Sequence, residues 1–114
     1  MDELKKIINQ IETQILNEGL SRYENGERQA KRDREFFEIV KVETKPLFEL
    51  IDHWEELVKN HVASLKIMPN QIQNTKENLE LFVFHSYYRD VRRKRFMEVY
   101  HSIDFVLKQL KQHL

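Results

Sequence analysis

Apolar residues recur along this chain with the period of an α-helix. Leu4, Ile7, Ile8, Ile11, Ile15, Leu16, Leu20 and Tyr23 share one face if the chain is helical from about Asp2 to Glu24. Asp2 and Glu3 then occupy a first turn, where negative charge suits the helix dipole. Gly19 sits inside the pattern at a cost of about 1 kcal/mol relative to alanine, which points to a bend or to a close helix contact. Asn25-Gly26 is the natural stop, with Gly26 able to adopt the left-handed conformation that closes helices.

The charged stretch Glu27–Arg34 reads as a loop or as the exposed start of the second helix. From Phe36 the apolar phase resumes through Val40, Leu47, Leu50, Ile51, Trp54, Leu57, Val58, Val62 and Leu65. Pro46 interrupts the sequence but not the phase. Proline lacks a donor and crowds the preceding turn, so one helix kinked near Thr44-Lys45-Pro46 is expected. The alternative is two helices, with Thr44 or Lys45 capping the second and Pro46 in its first turn. Lys66–Asn74, with Pro69 and several amides, reads as a connection. Asn74 followed by Glu77 fits a capping box for a third helix over about Thr75–Tyr88, with Leu79, Phe82, Val83 and Ser86 or Tyr87 inward. Arg89-Asp90-Val91 forms a corner and Asp90 is placed to cap a fourth helix reaching about Gln112. Its stripe of Phe96, Val99, Tyr100, Ile103, Val106, Leu107, Leu110 and Leu114 is the cleanest in the chain.

These stripes are wider than a coiled-coil seam and their connections are short. They predict an all-α, antiparallel up-and-down four-helix bundle, with a second helix long and kinked or broken near Pro46. Composition supports this: among 114 residues, two glycines and two prolines leave few breakers. One domain over residues 1–114 is expected. The absence of cysteine removes disulfides, thiolate metal sites and cysteine nucleophiles. The N-terminus lacks the apolar block of a signal peptide, and no apolar run approaches the roughly 18 residues of a membrane span. The expected setting is cytoplasmic.

Net charge is zero, which weakens a nucleic-acid reading. The charge is unevenly placed, however. Residues 1–60 carry 10 Lys/Arg against 14 Asp/Glu, a net of −4, and residues 61–114 carry 9 against 5, a net of +4. Either the halves face and complement each other, or the basic half attracts an anionic partner.

The candidate chemistry gathers at Glu77–Leu107. Arg92-Arg93-Lys94-Arg95 resembles an anion site, yet four consecutive residues point all round a helix and form no single stripe. By phase, Arg92 and Arg93 lie on the core-facing side one turn before Phe96, and Lys94 lies outside with Glu98 and His101. Basic residues in a first turn oppose the dipole by roughly 0.3–1 kcal/mol each. Asp90, a carboxylate of the second helix or a bound anion must offset them, and intramolecular ion pairs are the favoured account. Tyr87, Tyr88 and Tyr100 suit base stacking but fit core packing better. Trp54 is most simply core. Glu98-x-x-His101 has the spacing of a di-iron bundle motif, without a second copy. His53 and Glu56 run in reverse order, and Phe82 stands where a carboxylate would precede His85. Neither a di-metal site nor a mononuclear one using His53, His85 or His101 is favoured. No nucleophile arrangement, phosphate loop or cofactor motif is present. Phe37, Phe48, Phe84 and Phe105 lie off their helices' main stripes, and two or three clustered outside would make an interaction patch.

The segments ENLE (Glu77–Glu80), SYY (Ser86–Tyr88), RRKRF (Arg92–Phe96) and HSIDFVL (His101–Leu107), together with FFEIVK (Phe36–Lys41), Pro46 and Trp54, resemble the YppE-like family of small helical proteins from low-GC Gram-positive bacteria. The resemblance covers about 70 residues from Phe36. It implies an antiparallel four-helix bundle and no activity, and it carries over no functional residue. The resulting expectation is a non-enzymatic protein–protein interaction module without cofactor, acting on an unknown protein partner or by self-association. The alternative is a nucleic-acid or anion-binding module using Arg92, Arg93, Arg95 and Tyr88, and the remote one a metal-binding bundle.

Overall fold

Why the first apolar stripe stays in phase over so many residues is explained by its backbone. The computed structural model describes residues 2–25, 34–88 and 90–114. The first rod joins α1 (Asp2–Gln10), a π-helical segment (Ile11–Asn17) and α2 (Glu18–Asn25) without interruption. Gln10 and Glu18 at the joints keep right-handed helical dihedrals. The buried positions are spaced by three from Ile8 to Ile11, then by four and five to Ile15 and Leu16. The wider turn of a π-helix takes up that lag, so both residues of the Ile15-Leu16 pair stay inward.

Gly19 marks a close contact. A Cβ at this position would lie 2.5 Å from Cε2 of Phe82. Phe82 is fully buried and stacks on Phe96 at 4.6 Å, and Phe96 stacks on Tyr23 at 4.0 Å. Three helices therefore share one column of rings. The expected helix stop at Gly26 and the charged stretch Glu27–Asp33 lie outside the described residues, as does Arg89 of the corner.

The second rod, α3 (Arg34–Lys59), passes through Pro46 without a break, which removes the two-helix alternative. Pro46 is exposed and stands opposite the face that buries Val40, Thr44, Ile51, Trp54 and Val58. The Val42 carbonyl loses its usual helical donor to the proline, and Val42 and Pro46 are both exposed on this outer face. The stripe was expected to carry this helix to Leu65. Instead α3 ends at Lys59 and a short helix α4 (Val62–Leu65) follows, closed by Lys66 in the left-handed conformation (φ 54°).

The third rod, α5 (Pro69–His85), starts earlier than the capping-box reading placed it. Met68 is extended (ψ 145°), as a residue before proline prefers, and Pro69 opens the helix with its fixed φ and no amide to leave unpaired. Asn74 and Glu77 are interior positions. The last rod, α6 (Arg93–Lys111), has Arg92 as its N-cap residue, extended and without a side-chain cap bond, so Asp90 does not cap it.

Every element among the described residues is helical, but the count exceeds the four expected, through α4 and the π segment. Neighbouring rods run antiparallel. Phe48 meets Phe84 while Glu55 meets Lys76, and Phe82 meets Phe96 while Gln71 meets Gln109. The molecule measures 44 × 27 × 22 Å. The two charge halves do meet. Lys76 bonds Glu55 at 3.0 Å, Lys111 bonds Glu12 at 2.5 Å and Arg93 bonds Glu24. Burial pushes the Glu55 carboxyl up, but hydrogen bonds from Lys76 and Lys59 outweigh this and hold it below the ordinary value.

Gly19→Ala is expected to destabilise the protein by about 2 kcal/mol, because overpacking against a buried ring costs about 1–3 kcal/mol and exceeds the helix propensity gained. Urea unfolding, with exposed Ser21→Ala as control, measures it; a neutral or stabilising Gly19→Ala would refute the ring contact as a constraint.

Candidate functional site

Three consecutive residues of α2 hold the corner between α5 and α6. Arg22 donates to the Ser86 hydroxyl at 2.7 Å and lies 4.2 Å from the centre of the Tyr87 ring. The Tyr23 hydroxyl donates to the Val91 carbonyl at 2.6 Å, and Glu24 accepts from Arg93. Ser86, fully buried, in turn donates a hydrogen bond to the Val83 carbonyl at 2.7 Å. With the corner fixed in this way, the basic run cannot turn inward. Arg92, Arg93, Lys94 and Arg95 are all exposed, contrary to the core-facing placement that helical phase gave Arg92 and Arg93. The reason is that Arg92 precedes the helix and Arg93 is drawn along the surface to Glu24.

The basic residues therefore divide. Arg93 is spent on an ion pair, whereas Arg92 and Arg95 have no carboxylate partner among the described residues. These two arginines stand with Phe37, Leu81, Phe84, His85, Tyr88, Asp90 and Val91 around a groove of about 910 Å³. Phe37 is 41% exposed. Phe84 is half-buried and packs on Phe48 at 5.1 Å between ring centres. Tyr88 is half-buried, with Phe36 edge-on at 6.0 Å, and burial raises its hydroxyl above the ordinary value. Tyr87 is buried under Arg22, as core packing predicts. The result is an aromatic floor from α3 and α5, with a basic rim from the N-terminus of α6.

His85 lies in the same wall. Its Nδ1 is buried with no hydrogen-bond partner among the described residues. Burial first, and then the neighbouring Arg95, hold its pKa below the ordinary 6.5, while Asp90 opposes this. An imidazole nitrogen and two guanidinium groups, each without a partner among the described residues, thus stand around partly exposed rings.

The other candidates lie elsewhere. Phe105, 68% exposed, is separated from the groove and flanks a second depression of about 660 Å³ with Met68, Asn70, Asn74 and Asn78. The four off-stripe phenylalanines thus split, with Phe37 and Phe84 at one site, Phe48 supporting them, and Phe105 alone. His53 meets Glu3 at 2.8 Å, and His101 lies edge-on to Tyr100. Glu98 and His101 are exposed, and no three His, Asp or Glu side chains among the described residues converge as a metal-ligand set. Trp54 is fully buried, its indole N–H without a partner among the described residues. No helix among them is long and apolar enough to cross a membrane.

A family model described as a bacterial domain of unknown function (DUF1798) matches residues 4–114. The chain belongs to that family. DUF1798 extends over the first rod, which the sequence resemblance had not covered. A similar protein is "Uncharacterized protein YppE" of Bacillus subtilis (strain 168), 26% identical over 105 residues that span 89% of this chain and 84% of that protein. The resemblance to YppE-like proteins read from the motifs is therefore correct. No solved structure matches.

Of the groove residues, Leu81 escaped sequence reasoning, which weighs His85 only as a metal ligand and Val91 only as part of the corner. Leu81, Phe84, His85 and Tyr88 recur at three- and four-residue steps on the flank of α5, a signal that was available but secondary to the core stripe. The depressed pKa of His85 gives a pH dependence with a definite sign. The unfolded chain takes up protons below pH 6.5 while the folded state resists. Stability from this group is fully present above 6.5 and is lost as pH falls toward the lower folded value. The urea midpoint is expected to drop between about pH 7 and pH 5, and His85→Gln to flatten that drop. An unchanged slope in His85→Gln would remove His85 as its source.

Proposed function

We propose that this DUF1798 protein is a non-enzymatic interaction module, and that the groove between α3, α5 and the start of α6 docks a segment of a protein carrying apolar side chains flanked by carboxylates. One observation carries this reading: Arg92 and Arg95 have no carboxylate partner among the described residues and stand beside partly exposed aromatic rings. Surface cations are ordinarily well solvated, so their position alone means little. Their placement at the rim of an aromatic groove is what matters, because interface anchors are typically aromatic or arginine side chains surrounded by water-excluding contacts.

The architecture in this reading is a single domain over residues 1–114, an antiparallel up-and-down four-helix bundle. Its rods are 2–25, α3, α5 and α6, α4 is a turn between rods, and α3 bends at Pro46. The setting is the cytoplasm. Nucleic acid fits less well, since Arg93 is engaged by Glu24 and the basic run does not form a track that follows phosphates.

The test places a photo-crosslinking amino acid at Phe37 or at Phe84 in the full chain, inside cells. Covalent adducts to polypeptide are expected, and Arg92→Glu with Arg95→Glu should reduce them at least about tenfold, as loss of two interfacial charges does. Adducts to nucleic acid alone, or no adducts, would overturn the reading.

A further inference from the structure

The groove has a counterpart on the same molecule. Along α3, the face opposite the core presents Glu35, Ile39, Val42, Pro46 and Glu49, at steps of four, three, four and three residues. Such steps keep side chains in one line along a helix. All five are exposed, with Ile39 at 53% and Val42 at 76%. The line is apolar in the middle and acidic at both ends, and neither Glu35 nor Glu49 has a cationic partner among the described residues. The groove is aromatic in the middle and basic at its rim, where Asp90 stands among the arginines, and neither Arg92 nor Arg95 forms an ion pair among the described residues.

Resting on the reading of the groove as a protein-docking site, we propose that its occupant is the outer face of α3 from a second copy of the chain. Ile39 and Val42 of each copy seat on the Phe37, Phe84 and Tyr88 floor of the other, and Glu35 and Glu49 face Arg92 and Arg95. Pro46 adds a further match. It offers no N–H to the Val42 carbonyl, so an acceptor without a helical donor lies in the same face, and guanidinium groups carry donors only. The two surfaces share α3, and a two-fold arrangement lets both pairs form at once. Reciprocity doubles the covered area, which carries a helix-face contact toward the roughly 1,200 Å² of a specific interface. The other exposed apolar pair, Met68 and Phe105, is bordered by the amides Asn70, Asn74 and Asn78, and offers the arginines no charge.

Charge reversal tests this without disturbing the core, because every altered residue is exposed. One variant carries Glu35→Arg with Glu49→Arg, the other Arg92→Glu with Arg95→Glu. Sedimentation of the wild-type chain should show a concentration-dependent dimer that weakens with salt. Each variant alone brings like charges together at both contacts, and its dimer dissociation constant should rise at least about tenfold. Mixed, the two variants place opposite charges at both contacts, so a one-to-one heterodimer should form. Circular dichroism confirms that each variant remains folded. A wild-type chain that stays monomeric, variants that dimerise as the wild type does, or a mixture that fails to associate would each overturn self-docking. Crosslinks from Phe37 to a different polypeptide, with a monomeric wild-type chain, would sink self-docking and leave the interaction module standing. Crosslinks to nothing would sink the module itself.

Discussion

The rest of this structure depends on a column of rings that leaves no room for a side chain at residue 19. Tyr23, Phe96 and Phe82 stack in sequence across α2, α6 and α5, and α2 approaches so closely that only hydrogen fits at Gly19. Stacked aromatic pairs are worth about 0.5–1.5 kcal/mol beyond the area they bury. Their larger effect here is positional. With Tyr23 fixed by its ring, its hydroxyl reaches Val91 and its neighbours Arg22 and Glu24 reach Ser86 and Arg93. A backbone feature in the first rod thereby decides which way the arginines of the last rod point.

That arrangement also assigns the basic run. Arg93 is consumed in an ion pair between exposed side chains, the kind that contributes about 0–1 kcal/mol. Its importance is in direction, since it leaves Arg92 and Arg95 on the groove side. Burial of the His85 nitrogen adds to the same wall a polar group without a partner among the described residues, and such buried groups are uncommon in folded chains. Arg92, Arg95 and the His85 nitrogen, each without a partner among the described residues, are thus gathered beside Phe37 and Phe84.

Most of the core was legible in the sequence because a helical stripe is a local signal. Leu4 through Leu16 in the first rod, Val40, Ile51, Trp54 and Val58 in α3, and Phe96, Val99, Ile103, Val106, Leu107 and Leu110 in α6 are buried where periodicity placed them, whereas Tyr100 is half-buried and Leu114 is exposed. The Arg93–Glu24, Lys111–Glu12 and Lys76–Glu55 pairs were foreshadowed by the opposite charges of the two halves. Boundaries were harder to read. Pro69 looked like a loop residue and instead starts a helix; Asp90 looked like a cap, yet the chain reaches Arg92 before turning helical. The π segment gave only a one-residue lag between Ile11 and Leu16. The groove was invisible for a different reason: Phe37 is some fifty residues from Tyr88, and periodicity describes one helix at a time.

Pro46 has a consequence for cooperativity. A helix lengthens by adding one hydrogen bond for each residue it fixes, and α3 forfeits that bond where the proline stands. The segments on either side of it therefore order with less help from each other than an uninterrupted helix would give. The segment after Pro46 is anchored by Ile51, Trp54 and Val58, whereas the one before it buries only Val40 and Thr44 completely. Local opening should begin in that earlier segment, which carries Phe37, so one wall of the groove can loosen while the tryptophan core stays closed. Amides at 34–45 are then set to exchange with solvent faster than those at 51–58, and a segment docked in the groove would slow them selectively.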